Sequence, residues 1–149
     1  MSFGHLHLIL NHIPILALPV VLIFLIYASV KNLDQVKRFS LLMTLVTSII
    51  ILPVFFTGEP AEDSVRELPS VSKSVIHEHE ESAEVSLVLT LLVCASSLLV
   101  LLTYNKPLTI RYGTSLVLLL GFIAMGSLIY TGNLGGKIRH IEFTSEQVE

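Results

Sequence analysis

Closely spaced histidines near the start of the chain are the first residues that could bind a cofactor. HLHLILNHIPI contains His5, His7 and His12, and the segment that follows, LALPVVLIFLIYASV, carries no charge. Neutral imidazole binds haem iron and transition-metal ions through a ring nitrogen. If residues 4 to 14 are helical, His5 and His12 share a face, whereas His7 and His12 diverge by about 140°. One helix end therefore offers two directions for a ligand.

A second pair of histidines lies among acids in the middle of the chain. The segment VIHEHEESAEVSLVL has no Pro or Gly, which predicts a helix from about Val75 into the next apolar run. Helical geometry places His77, Glu81 and Glu84 on one face. His79 is turned about 160° away from His77, so we expect only one of these two imidazoles to point into a helical bundle.

The elements that must position these residues are four long segments without Asp, Glu, Lys or Arg. The chain of 149 residues is 52% hydrophobic and 14% charged, which is the composition of a membrane protein. Each segment has at least the ~20 residues that a helix needs to cross the hydrocarbon layer. We predict an all-α integral membrane four-helix bundle of two tandem hairpins, in contact with membrane lipid and with no nucleic-acid partner. This single transmembrane domain has predicted spans at about 8–30, 39–58, 85–105 and 112–132, and an outer loop at 59–84.

The basic residues predict the orientation in the membrane, because short loops rich in Lys and Arg remain on the cytoplasmic side. Lys31, Lys37 and Arg38 lie in one short connection, and Lys106 and Arg111 lie in another. Both termini and the long outer loop are then expected outside the inner membrane of a bacterium. All six histidines and eleven of the twelve acids fall on this outer side.

The chain also resembles two copies of one helical hairpin. VKRFSLLM is followed by FFTGEP, and TIRYGTSL is followed by IYTGNL at nearly the same distance. A parallel repeat of this kind relates two halves by an axis along the membrane normal. Gly58 and Gly132, which follow the threonines of the two copies, are predicted to end their helices at the C′ position.

Three interpretations fit the histidines. In the first, they are solvated residues of a cofactor-free membrane subunit or scaffold. In the second, imidazoles from facing helices hold one or two haem b groups without a covalent link, because the chain has no C-x-x-C-H motif and one cysteine, Cys94. In the third, nitrogen and oxygen ligands bind zinc, copper or non-haem iron. The candidate ligands for such a metal ion are His12, His77, His79, Glu81 and Glu84.

Four motifs in chain order resemble a bacterial membrane-protein family, domain of unknown function 2231. They are HLILNHIPILALPV, TGEPAED, a histidine at the start of the third helix, and YTGNLGGKIRH. The resemblance implies a four-helix bundle whose relatives form the membrane parts of larger proteins with cytochrome domains, and therefore a redox setting. The positions that match the family's motifs are His7, His12, Thr57, Gly58, Gly132, Leu134, Gly135 and Gly136.

We predict a membrane-embedded b-type cytochrome that carries electrons near the outer face, rather than a substrate-converting enzyme. His12 ranks first as an axial ligand because an uninterrupted apolar span follows it. His79 and His140 rank next, as ligands from other helices, followed by His7 and His77. A quinol or a periplasmic redox protein is the expected electron partner. The chain is expected to belong to a larger membrane complex or to a homo-oligomer.

Overall fold

Four apolar helical spans make up the molecule, as the sequence predicts. The computed structural model describes residues 3–63, 65–66 and 71–146, with side chains as far as residue 138. Each span is long enough and apolar enough to cross a membrane, and together they cover Phe3–Val30, Asp34–Asp63, Lys73–Leu102 and Pro107–Ile138. The predicted all-α class and four-helix architecture are confirmed, and the apolar spans fit contact with membrane lipid.

Six helical elements make up the described part of the chain. They are α1 (Phe3–Val30), α2 (Asp34–Ile49), α3 (Ile51–Phe56), α4 (Gly58–Asp63), α5 (Lys73–Leu102) and α6 (Pro107–Glu146). The second span is interrupted at Ile50, just before Pro53, because a proline ring crowds the carbonyl four residues earlier. The first span contains Pro14 and Pro19 and is nevertheless one helix.

Two tight connections join the helices at the end of the bundle that carries the Lys-rich and Arg-rich segments, which we call the basic end. In the first, Asn32 has a φ of 53°, a left-handed conformation that Asn tolerates better than most residues. In the second, the Tyr104 hydroxyl donates to the Asp34 carbonyl at 3.1 Å. The Arg38 guanidinium lies 4.9 Å from the centroid of the Tyr104 ring. These contacts join the two hairpins at the basic end.

The core lies between four helices arranged in a ring. α1 packs against α2 and α6, and α5 packs against the same two helices. A large apolar cluster fills the middle of the bundle: Leu18, Leu22, Ile51, Val54, Val93, Ala124 and Leu128. A smaller cluster lies nearer the basic end: Leu25, Leu41, Val100 and Val117. Large apolar side chains also cover the outside of every span, which is the expected surface of helices in lipid.

Two glycines let α6 approach its neighbours closely. A Cβ atom at Gly121 would lie 2.7 Å from Leu22 Cδ2 of α1. A Cβ atom at Gly113 would collide with the Val100 side chain of α5. Small residues at helix interfaces are the usual means by which membrane helices gain packing contacts. The position of α6 therefore depends on these two glycines.

The predicted helix end at Gly132 is wrong, whereas α3 does end just before Gly58, with Thr57 as its C-cap residue. Gly58 is the first residue of α4, and α6 continues through Gly132 to Glu146. No glycine in the described ranges has a positive φ, so none of them forms the left-handed cap. The physical reason is that an unpaired backbone is costly in hydrocarbon, and a continuing helix keeps its backbone groups bonded. α5 begins at Lys73, two residues before the predicted start at Val75.

Candidate functional site

His7 is held at the junction between α1 and the second span. Its half-buried ring places Nδ1 3.1 Å from the Val54 carbonyl oxygen and 3.2 Å from the Thr57 hydroxyl. Val54 lies in the last turn of α3, and its carbonyl also accepts a hydrogen bond from the Thr57 hydroxyl at 2.9 Å. Because a carbonyl only accepts, the Nδ1 atom must carry the proton and donate it. In the neutral ring the Nε2 atom then carries a lone pair.

His79 makes the corresponding contact in the second hairpin. Its half-buried ring on α5 donates from Nδ1 to the Thr131 carbonyl of α6 at 3.1 Å. The Thr131 hydroxyl lies 2.6 Å from the Ser82 hydroxyl and 2.9 Å from the Ser86 hydroxyl. These bonds fix α6 against α5 beside the ring. As with His7, the neutral form of His79 presents a lone pair on Nε2.

The two histidines occupy equivalent places in the two hairpins. H-L-H at 5–7 and H-E-H at 77–79 stand near the start of the first helix of each hairpin. In both, the second histidine bonds to the Thr-Gly segment, or to the turn before it, on the other helix of its own hairpin. Because α1 and α5 both run towards the basic end, the two rings lie at the same, opposite end of the bundle. We call this arrangement the histidine pair and this end of the bundle the histidine end.

Glycines lie beside both rings of the histidine pair. A Cβ atom at Gly58 would be 3.7 Å from His7 Cε1, and one at Gly135 would be 3.1 Å from His79 Cε1. A larger residue at Gly135 would press on the ring of His79. Gly135 therefore leaves space for the imidazole of His79, whereas a Cβ atom at Gly58 would make only an ordinary contact with His7.

An acidic and basic cluster lies next to the histidine pair. Arg66 donates two hydrogen bonds to the Glu62 carboxylate, one of them from Nε at 3.0 Å, and its Nη2 lies 3.9 Å from Glu80. The hydrogen bonds that Arg66 donates to Glu62 raise the pKa of its guanidinium, which therefore stays charged. Glu80 of this cluster follows His79 directly in the chain. This cluster places a negative charge near one ring of the pair.

A small apolar cluster holds the segment after α4 against α5. Val65, Val71 and Ile76 are buried together, and Ile138 of α6 packs against them. Hydrophobic contact of this kind fixes a connecting segment on the helices that it covers. The described part of the long outer loop therefore lies against the histidine end.

The other predicted site residues lie outside the histidine pair. His12 is exposed on α1, and its Nδ1 donates to the Leu8 carbonyl of the same helix at 2.5 Å. His77 is 71% exposed and lies 3.4 Å from Glu81 and 3.8 Å from Glu80. The expectation that His77 and His79 point in different directions is confirmed. Glu84 is exposed as well. The side chain of His140 lies outside the described residues.

The proposed metal ligands are not assembled into one group. Among the side chains that the structure describes, no three His, Cys, Asp or Glu residues are placed to hold a metal ion together. His77, Glu81 and Glu84 face outward, whereas His79 faces into the bundle. Zinc sites in proteins ordinarily need three or four protein ligands. The two imidazoles of the histidine pair are thus the candidate site of this molecule.

Comparisons with protein-family models, with curated proteins and with solved structures give no match. The resemblance to domain of unknown function 2231 therefore stays a prediction.

Proposed function

We propose that the chain is a membrane-embedded b-type haem protein, with His7 and His79 as the axial ligands of one haem. The observation that supports this proposal is the pair of half-buried imidazoles from separate hairpins, each with Nδ1 bonded to a backbone carbonyl. In this tautomer both Nε2 atoms are available to a ligand. The same geometry favours His7 over His12, which is exposed and bonds to its own helix.

The donor set fits a haem better than a metal ion. Haem iron needs two axial imidazoles, because the porphyrin supplies its other four ligands. Histidines that bind metals almost always donate their second ring N–H to a carbonyl, a carboxylate or water, which fixes the tautomer and the ring direction. The histidine pair has this second contact on both sides. Bound there, a haem would supply one-electron redox chemistry, while the protein would hold and orient the iron ligands.

The surroundings of the histidine pair support an electron carrier. Gly135 leaves space beside the ring of His79, and Lys137 is exposed two residues after Gly135, where a cation would suit the haem propionates. We propose the inner membrane of a bacterium as the location, with the histidine end outside, because the short basic connections lie at the opposite end. A quinol or a periplasmic redox protein would exchange electrons there. Assembly into a larger membrane complex or a homo-oligomer belongs to the same proposal.

The optical spectrum of protein purified from haem-replete cells tests this function. We expect a sharp Soret band and resolved α and β bands on reduction. His7→Ala and His79→Ala should each remove an axial ligand, so the iron becomes five-coordinate or the haem is lost. His5→Ala and His12→Ala are the matched controls on α1 and should leave the spectrum unchanged.

Three outcomes would contradict the proposal in different ways. Purified protein without porphyrin would reject a haem function, and elemental analysis of the same sample would then test for zinc, copper or non-haem iron. Loss of haem in His12→Ala but not in His7→Ala would move the axial ligand to His12. A second reduction midpoint would indicate a second haem and a further pair of ligands.

A further inference from the structure

A line of buried hydroxyl side chains runs along α2 of the first hairpin and α5 of the second. α2 and α5 pack against each other, and their buried faces carry hydroxyls where α1 carries apolar residues. We call this line the polar seam, and it consists of Ser40, Thr44, Ser48, Ser86, Thr90 and Ser97, each no more than 1% exposed.

Most of the polar seam has no hydrogen-bond partner. Among the described residues, four hydroxyls of the seam are buried without a hydrogen-bond partner: those of Ser40, Ser48, Thr90 and Ser97. Serine and threonine in membrane helices usually bond to the carbonyl four residues earlier. Thr44 does so, with its hydroxyl 2.9 Å from the Ser40 carbonyl. The unpaired hydroxyls are therefore the exception. Of the five that are buried among the described residues, four lie on the seam and the fifth, that of Thr114, lies on α6.

Unpaired hydroxyls in hydrocarbon are energetically unfavourable. Removing a hydroxyl from water without a new hydrogen bond costs about 1–3 kcal/mol by protein mutational data. Buried polar groups that lack a protein partner are usually bonded to internal water, which typically makes two to four hydrogen bonds. A row of such groups on facing helices therefore points to a row of water molecules between them.

Together with the contacts that continue it to His79, the polar seam reaches across most of the membrane. From Ser97 to His79 along α5, the helical rise of 1.5 Å per residue gives about 27 Å, close to the ~30 Å of the hydrocarbon layer. At the histidine end the line continues through hydroxyl contacts. Ser86 lies 2.7 Å from Ser127 and 2.9 Å from Thr131, whose carbonyl accepts from His79. The seam thus continues to Thr131, which contacts His79 of the histidine pair.

We propose that the polar seam holds a chain of water molecules that conducts protons between the basic end and the histidine pair. Each water or hydroxyl accepts a proton from one neighbour and passes another to the next. One proton crosses, and nothing is oxidised or reduced. This function is separate from haem binding and holds for the haem-free protein as well.

Proton flux into liposomes tests the proposal. Haem-free protein is reconstituted into vesicles that contain a pH-sensitive dye, and a potassium gradient with valinomycin drives protons inward. We expect faster acidification than in protein-free vesicles. Thr90→Val and Ser97→Ala each remove one hydroxyl and should slow the flux about fivefold, which corresponds to about 1 kcal/mol at the barrier. Thr90→Ser keeps the hydroxyl and should keep the flux.

The matched control is Ser96→Ala. Ser96 is the neighbour of Ser97 but lies off the seam, and its hydroxyl already donates to the Val93 carbonyl at 3.0 Å. This variant should conduct like the wild type. Circular dichroism and size-exclusion chromatography of every variant establish that it is folded before its flux is compared.

Two results would overturn the proposal. One is a flux no faster than in protein-free vesicles, and the other is a wild-type flux in Thr90→Val. Silver-ion labelling gives a second readout of water in the seam, because a thiol must be reached through water to react. In a Cys94→Ala background, the thiol of Ser97→Cys should be labelled. The thiol of Leu98→Cys, on the exposed apolar face, should not be labelled. Equal protection of both thiols would mean that the polar seam holds no water.

Discussion

The imidazoles of the histidine pair have two separate chemical tasks at the residue scale. Nδ1 of His7 connects α1 to the Val54 carbonyl, and Nδ1 of His79 connects α5 to the Thr131 carbonyl. These bonds support the fold whether or not a cofactor is present. Nε2 is the atom that would bind iron. Substitutions can therefore separate the structural task from ligation.

We expect His7→Asn to keep the structural task and lose ligation. The Asn side-chain amide can donate to the Val54 carbonyl in place of Nδ1–H. His7→Ala loses this bond, which should lower the free energy of unfolding by about 1 kcal/mol. Unfolding in detergent micelles, together with the haem content of the same preparations, measures both effects.

The control for the His7 comparison is His12→Ala, because the bond from His12 lies within its own helix. This variant should unfold like the wild type. If His7→Asn were destabilised as much as His7→Ala, the contact between Nδ1 and the Val54 carbonyl would not be the source of the stability.

At the scale of the elements, the sequence predicts the positions of the spans along the chain well. It predicts less well which face of each helix points into the bundle. Uncharged runs of about 20 residues indicate helices because charge is excluded from hydrocarbon. The direction of a membrane helix leaves a weaker pattern, since lipid and bundle core are both apolar. The divergence of His7 from His12 is therefore predictable from helical geometry, but not which of them faces the bundle. The H-x-H and Thr-Gly motifs occur in both hairpins. They are the sequence signal that indicates that His7 and His79 occupy equivalent positions.

The structural roles of the glycines in α6 can likewise be predicted only in part from the sequence. Gly132 looks like a helix end in a sequence, whereas the structure uses the glycines of this helix for close packing and for space beside His79. The hydroxyls of the polar seam carry no motif, and their alignment depends on how the two hairpins meet. Long-range packing of this kind cannot be obtained from local sequence.

Gly121→Ala should destabilise the bundle. The new Cβ would lie 2.7 Å from Leu22 Cδ2, and Leu22 is fully buried, so its side chain has no room to move aside. Overpacking of this kind costs about 1–3 kcal/mol. The free energy of unfolding in detergent micelles is the measurement.

Gly126→Ala on the same helix is the matched control for Gly121→Ala. A Cβ at Gly126 would have nothing within 4 Å. Because Ala favours a helix over Gly, this variant should be neutral or gain up to about 1 kcal/mol. Equal effects of the two substitutions would mean that backbone propensity, and not the contact with Leu22, decides the result.

At the scale of the whole molecule, the two ends of the bundle differ in chemistry. The basic end has two short connections and a contact between Arg38 and Tyr104 that joins the hairpins. The histidine end has the acidic cluster, the segment after α4 and the histidine pair. This asymmetry decides the orientation that we propose.

Cysteine labelling in intact cells checks the orientation. Asp34 is exposed at the basic end and Glu81 is exposed at the histidine end. In a Cys94→Ala background, a membrane-impermeant maleimide should label Glu81→Cys in intact cells and Asp34→Cys only after permeabilisation. The reverse result would place the histidine end in the cytoplasm. Labelling of both sites from one side would contradict four membrane crossings.

The continuity of α6 has a mechanical consequence. The helix has 40 residues, so it is about 60 Å long, roughly twice the thickness of the hydrocarbon layer. Thr131, whose carbonyl holds His79, and Gly121, which fits against Leu22, lie on this one rigid rod. A partner that bound the C-terminal end of α6 and rotated it would rotate Thr131 and Gly121 together. A protein that bound the last turns of α6 would thus be connected to the contact of His79 by one continuous helix.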